Sequence, residues 1–114
     1  LKQSKLNHVL DQHKLWLESN GNKGKRADLT GADLYYADLS CANLSSANLS
    51  CAKLYSAYLT GANLTSANLS GAYLTGSILN SKYMSNAKVS QSQLTWLATD
   101  PNFYIWMNKL AICD

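Results

Sequence analysis

The chain has 114 residues, 46% of them hydrophobic and 15% charged, with a formal net charge of +3. That suits one small domain near the size at which a single core becomes adequate. No run of eighteen apolar residues could cross a bilayer as a helix, and the first residues lack a basic-then-apolar leader, so a soluble, cytoplasmic protein without membrane contact is expected.

Residues 1–26 carry six cations, Lys2, Lys5, Lys14, Lys23, Lys25 and Arg26, against Asp11 and Glu18. From Ser4 to Glu18, Leu6, Val9, Leu10, His13, Trp16 and Leu17 recur at three- and four-residue spacing, which predicts an amphipathic helix. Trp16 is expected to lie over whatever follows. The run S-N-G-N-K-G-K-R then breaks the helix. His8 and His13 are five apart, a poor spacing for two metal ligands on one helix face. Contact with nucleic acid through K-G-K-R and the helix lysines is one reading of the local charge, and it would weaken with salt. The plainer reading is a solvated face of a cap helix, and nucleic acid is not the expected partner.

From residue 27 a five-residue beat takes over. Leucine recurs at 29, 34, 39, 44, 49, 54, 59, 64, 69, 74 and 79, with alanine two residues earlier from Ala27 to Ala72. Five residues of α-helix turn a side chain about 140° past a full turn, so the leucines would spiral around a helix. In a straight strand an odd spacing puts successive leucines on opposite faces. They become equivalent only if the chain corners once per repeat, with leucine and alanine both facing inward. That is a coil, and repetition of this kind predicts a solenoid in which each unit buries its apolar side against its neighbours.

The units ADLTG, ADLYY, ANLSS and AKLYS resemble those of the pentapeptide-repeat family over residues 27–96. The resemblance implies an all-β solenoid: a right-handed quadrilateral β-helix of four repeats per coil, about 3.5 coils when the units centred on Met84, Val89 and Leu94 are counted. At one strand spacing per coil the rod would be ~17 Å tall. Glycines 31, 61, 71 and 76 fall two residues after leucine, where a corner calls for positive φ. Residues 77–96 are degenerate: Ser77 and then Lys82 stand at the alanine position, and an ammonium cannot sit unpaired in so narrow a core. Regularity should fail there. Some relatives of this kind protect DNA gyrase by resembling duplex DNA in size and negative charge. This chain departs from them, because Asp28, Asp33 and Asp38 are balanced by Lys53, Lys82 and Lys88 and the rod is short beside a ~34 Å turn of DNA.

Residues 97–114 predict a C-terminal helix, with Asp100 as N-cap and Pro101 at the first helical position. Both ends of the solenoid are thus expected to carry an α-helical cap, since an open end exposes unpaired backbone groups. The second helix is apolar nearly all round. Phe103, Tyr104, Trp106, Met107 and Leu110 are candidate contacts either for the cap or for a homodimer.

Residues twenty apart should stack, so the surface divides into columns. One side gathers Tyr35 with Tyr55, then Asp33 with Lys53 and Tyr73, and Tyr36 at its corner. These residues form the candidate protein-interaction face, tyrosine giving contact area with a polar handle. The alternative is an aromatic ladder that only stabilises stacked strands, with Asp33 and Lys53 as an ordinary neighbouring pair. Cys41 and Cys51 should lie on opposite sides and remain unpaired, and Cys113 is expected to be a reduced thiol. No histidine lies within the repeats to activate a hydroxyl, and the three aspartates fall on successive sides. The expected function is therefore that of a non-enzymatic interaction or scaffold module with an unknown protein partner, without catalytic residues, cofactor or metal.

Overall fold

A leucine every fifth residue reaches one interior only if each repeat turns through the same corner. The computed structural model describes residues 1–113 and shows this arrangement. Every leucine from Leu29 to Leu79 is at most 5% exposed, and Met84 and Val89 continue the stack. The alanines from Ala27 to Ala72 share the interior, with only Ala32 and Ala42, on the first coil, half-buried.

Parallel bridges join residues twenty apart and define four sides. They run Asp28–Asn48–Asn68–Lys88, Asp33–Lys53–Tyr73, Asp38–Tyr58–Ile78 and Asn43–Asn63–Tyr83. Each side is too short to form a continuous strand, so the coil is held by single bridges. Within one repeat the chain reaches both neighbours: Lys53 N–H donates to Ala32 O below and Leu54 N–H to Tyr73 O above, both at 2.9 Å.

The corners are tight turns. Ala57 N–H donates to Leu54 O at 3.1 Å, and the residue two after leucine has positive φ. Glycines 31, 61, 71 and 76 take φ of 66–74° there, as their spacing predicts. Tyr36, Cys41, Ser46, Cys51, Ser56 and Ser66 take the same conformation at 57–63°, although it costs about 1–2 kcal/mol for a residue with a Cβ. The ladder offsets that cost, since the corner N–H donates to the next coil, as Cys51 does to Ser70 O at 3.0 Å. The Asp or Asn before leucine closes the turn from outside. Asn48 Oδ1 accepts the Ser50 N–H at 3.1 Å and its hydroxyl at 2.9 Å, and Asp28, Asp38, Asn43, Asn63 and Asn68 accept the N–H two residues on in the same way.

The pattern slips where Lys82 was expected to disturb it. Lys82 is exposed, Ser81 is buried in its stead, and positive φ moves one residue early to Asn80. The Ser81 hydroxyl repairs the ladder: it donates to Ala62 O at 2.5 Å and accepts the Tyr83 N–H at 3.1 Å, bridging two groups that elsewhere bond directly.

Helix α1 (Gln3–Glu18) lies across the first coil and buries Leu6 and His13 fully. Trp16 is half-buried and stacks on the His13 ring at 5.6 Å. Gly24 locks the following turn against α1, where a Cβ would run into the carbonyl of Gln12 and the side chain of Leu15.

The C-terminal helix expected over 97–114 is not formed. The chain instead passes through strand β1 (Lys88–Ser90), a 3₁₀ turn (Gln91–Gln93) and two short helices, α2 (Leu94–Leu97) and α3 (Phe103–Trp106). A further 3₁₀ turn (Met107–Lys109) leads into strand β2 (Ala111–Cys113). Asp100 is not a helix N-cap; its carboxylate accepts the N–H groups of Asn80 and Asn102, and Asn102 precedes α3. The reason is the open end of the coil. β2 pairs in parallel with β1, Lys88 with Ala111 and Ser90 with Cys113, and satisfies backbone groups that a helix could not reach. Among the described residues no helix is long and apolar enough to cross a membrane.

Leu54 is fully buried at mid-rod. Leu54→Ala should lower the unfolding free energy by about 2–5 kcal/mol in denaturant titration, and Leu54→Asp should abolish the cooperative β-rich melt seen by circular dichroism.

Candidate interaction surface

The twenty-residue register determines which outward side chains meet. On the second side the Tyr35 and Tyr55 rings stack at 5.0 Å, and the Tyr55 and Tyr73 rings at 5.5 Å. Tyr73 belongs to the Asp33–Lys53 column, and its ring leans across to continue the ladder where Thr75 stands in the tyrosine register. Tyr55 is half-buried between the two. Loss of hydration there, with the neighbouring Tyr35 and Tyr73 phenols, pushes its own phenol above the ordinary value, so it stays neutral at physiological pH.

Stacking engages both neighbours of the Tyr55 ring and leaves the terminal rings, Tyr35 and Tyr73, about half exposed. Tyr36 projects from the corner with 70% of its surface exposed. Around that corner the third side adds Tyr58 and Ile78, bridged to each other and about half exposed, and the fourth adds Tyr83. Tyr58 and Ile78 extend the face predicted from Tyr35, Tyr36, Tyr55 and Tyr73. Their common register at twenty residues was the signal that could have found them.

Lys53 is exposed and makes no ion pair with Asp33; the one ion pair among the described residues is Lys14–Glu18 at 3.9 Å on α1. Asp33 is instead turned to its own corner, accepting the Tyr35 N–H at 3.3 Å. The carboxylates of Asp28 and Asp38 are held below the ordinary range, Asp28 chiefly by the Thr30 hydroxyl and Asp38 chiefly by the Ser40 N–H. They serve as charged turn caps on separate sides, poorly suited to proton transfer. Cys41 and Cys51 are exposed at opposite corners, and Cys113 is half-buried against Ser70 and Val89. No group of three or more His, Cys, Asp or Glu able to hold a metal occurs among the described residues.

The apolar residues near the C-terminus divide into two sets. Trp106 is completely buried, its indole N–H donates to Ser81 O at 2.9 Å, and Phe103 meets it edge-on at 5.1 Å. Leu110 is half-buried against the core. Tyr104 and Met107 are exposed, and Ile105 and Ile112 join them. Trp106 is therefore a cap residue and has no surface for a second chain.

A family model described as pentapeptide repeats, in eight copies, matches residues 27–65, 42–80 and 67–96, together more than half of the chain. Among solved structures the chain is similar to HetL, a pentapeptide repeat protein involved in heterocyst differentiation regulation from the cyanobacterium Nostoc sp. strain PCC 7120. The identity is 33% over 58% of this chain, with a TM-score of 0.39, and the chain spans 41% of HetL's length. It is also similar to alr5209, a pentapeptide repeat protein from Nostoc PCC 7120, at 22% identity over 92% of this chain and 95% of that one, with a TM-score of 0.32. No curated protein matches the chain.

The stacked tyrosines should be energetically coupled. A double-mutant cycle of Tyr35→Ala and Tyr55→Ala, read by denaturant unfolding, should give a coupling of about 0.5–1.5 kcal/mol.

Proposed function

The chain belongs to the pentapeptide-repeat family, and from that premise we propose that it is a non-enzymatic protein-interaction module whose binding surface spans two adjacent sides of the coil. One observation carries this reading: Tyr35, Tyr36, Tyr58, Tyr73 and Ile78 form an exposed aromatic and apolar surface around a single corner, with half-buried Tyr55 and exposed Lys53 among them. A surface of this kind on a monomeric protein marks an interaction site more often than chance placement. The rigid coil beneath presents it with little entropy to lose on binding.

The interior supports the same reading. Leucine and alanine fill it, and the aspartates that could act as acids or bases are engaged in turns. The sides of the coil balance three carboxylates with three lysines, which does not favour a mimic of duplex DNA. Two exposed thiols without a disulfide partner, Cys41 and Cys51, would suit a reducing, cytoplasmic setting.

A second reading is homodimerisation at the C-terminal end, for which Tyr104, Ile105, Met107 and Ile112 supply exposed apolar surface. Sedimentation equilibrium tests it: a dimer that Tyr104→Glu with Met107→Glu converts to monomer supports it, and a wild-type monomer at high micromolar concentration rejects it.

Tyr36 and Tyr58 project outside the stacked ladder, so their replacement should spare stability. The Tyr36→Glu, Tyr58→Glu variant should melt within a few degrees of wild type and lose at least about tenfold in affinity for a protein that the wild type binds, roughly 1.4 kcal/mol. Binding unchanged in that variant and in Tyr35→Ser, Tyr55→Ser, Tyr73→Ser would remove the surface from consideration.

A further inference from the structure

The first coil has no coil beneath it, so its downward backbone groups need other partners. The cap supplies them. The Leu1 amino group donates to Asp33 O at 3.0 Å, and the Gln3 amide both donates to Asp38 O and accepts the Asp38 N–H, each at 3.0 Å. His13 performs the corresponding task on the far side, 0% exposed. Ala27 N–H donates to its Nδ1 at 3.0 Å, and its Nε2 lies 2.9 Å from Ser45 O.

We propose that His13 is an acid-sensitive latch that holds helix α1 on the first coil. Its two partners demand opposite things of the ring. A backbone N–H pointing at Nδ1 requires a bare lone pair there, whereas the Ser45 carbonyl requires a hydrogen on Nε2. The neutral Nε2–H tautomer alone meets both demands. A proton added at Nδ1 sets N–H against N–H, so the ring must leave Ala27 or Ala27 must leave the ring.

The surroundings oppose that proton. Burial is the largest influence and lowers the affinity of His13 for it, the Ser45 bond acts in the opposite sense, and Arg26 lowers it further. Arg26 adjoins Ala27 and is tied to Ser46 O through Nε at 2.6 Å. Lys25 and Asp28 flank it on the same segment, with His8 on α1 lining the same cleft. Elsewhere on α1, Asp11, Lys14 and Glu18 are exposed, Lys14 and Glu18 being paired with each other. On the coil the ring meets the uncharged Ser45 carbonyl, and the Trp16 ring stacks on it.

The sign of the pH effect follows. A released His13 takes up a proton near its ordinary 6.5, and a latched one resists until the pH is lower. The latch is at full strength above 6.5 and weakens as pH falls from there towards the latched value. Mid-rod bonds such as Leu54 N–H to Tyr73 O involve no titrating group and should be indifferent. Release would bare the N–H and C=O row of the first coil, an edge able to pair with another strand.

Amide hydrogen exchange by NMR on the full chain, corrected for intrinsic rates, tests the latch between pH 7.5 and 5, with the His13 ring titrated in the same samples. The expected result is a His13 midpoint below 6.5, and protection of the Ala27 amide and of α1 that falls up to about tenfold per pH unit below 6.5, while Leu54 and Leu59 are unchanged. His13→Asn, which keeps an acceptor near Ala27 but cannot titrate, should flatten the pH dependence at the cap. Ala27 protection that stays constant through the His13 titration overturns the proposal, as does a His13→Asn protein with the wild-type pH dependence. If the variant does not fold, the wild-type titration decides alone.

Discussion

The constraint on which the whole structure depends is the ladder of backbone hydrogen bonds between residues twenty apart. Each repeat must offer one N–H downward and others upward, and only a chain that corners every five residues returns to register after four repeats. Leucine follows from this geometry, because the same interior point recurs at every coil and favours the same side chain. A fully buried leucine contributes about 1.5–3 kcal/mol, and the stack multiplies that term without enlarging the cross-section. The outer Asp or Asn and the left-handed corner are the local means by which the backbone holds this path.

A ladder has two ends, and both are closed largely by side chains that imitate backbone. Gln3 presents an acceptor and a donor to Asp38 as a strand would. Gln93 does likewise above, donating to Leu69 O and Ala72 O while accepting from Ser90. His13, Asp100 and Trp106 complete the set, and β2 adds one true strand. Each of these bonds joins residues distant in sequence, except the short link between Gln93 and Ser90. The ends are consequently where the fold is most specific, because a few individual side chains there take the place of a row of backbone bonds.

The sides have little chemistry of their own. Their carboxylates and amides are engaged in turns, as are the hydroxyls of Thr30, Ser50 and Ser77, and their distinctive feature is aromatic surface on two adjoining sides. Face-to-face stacking gives the tyrosines a stabilising role within the chain, and Tyr35 and Tyr73 keep about half of their surface exposed. The stabilising and the binding readings of this ladder are therefore compatible: Tyr35, Tyr55 and Tyr73 stack within the chain and would also belong to the proposed surface, whereas Tyr36 and Tyr58 would belong to that surface alone.

The sequence by itself determined whatever repeats. The parity of a five-residue period sent leucine and alanine inward, placed glycines at corners, separated Cys41 from Cys51, and marked Lys82 as the site of irregularity. These inferences needed only the local environment that every repeat shares. Tertiary structure decided what occurs once. The apolar run from Phe103 to Ile112 reads as a helix from its composition, yet the open edge above Lys88–Ser90 draws its end into a strand and buries Trp106 over Ser81. His13 reads as one member of an amphipathic stripe, and its two backbone partners lie 14 and 32 residues away. No periodicity encodes those meetings, since they depend on where the ends of the ladder leave a group unpaired.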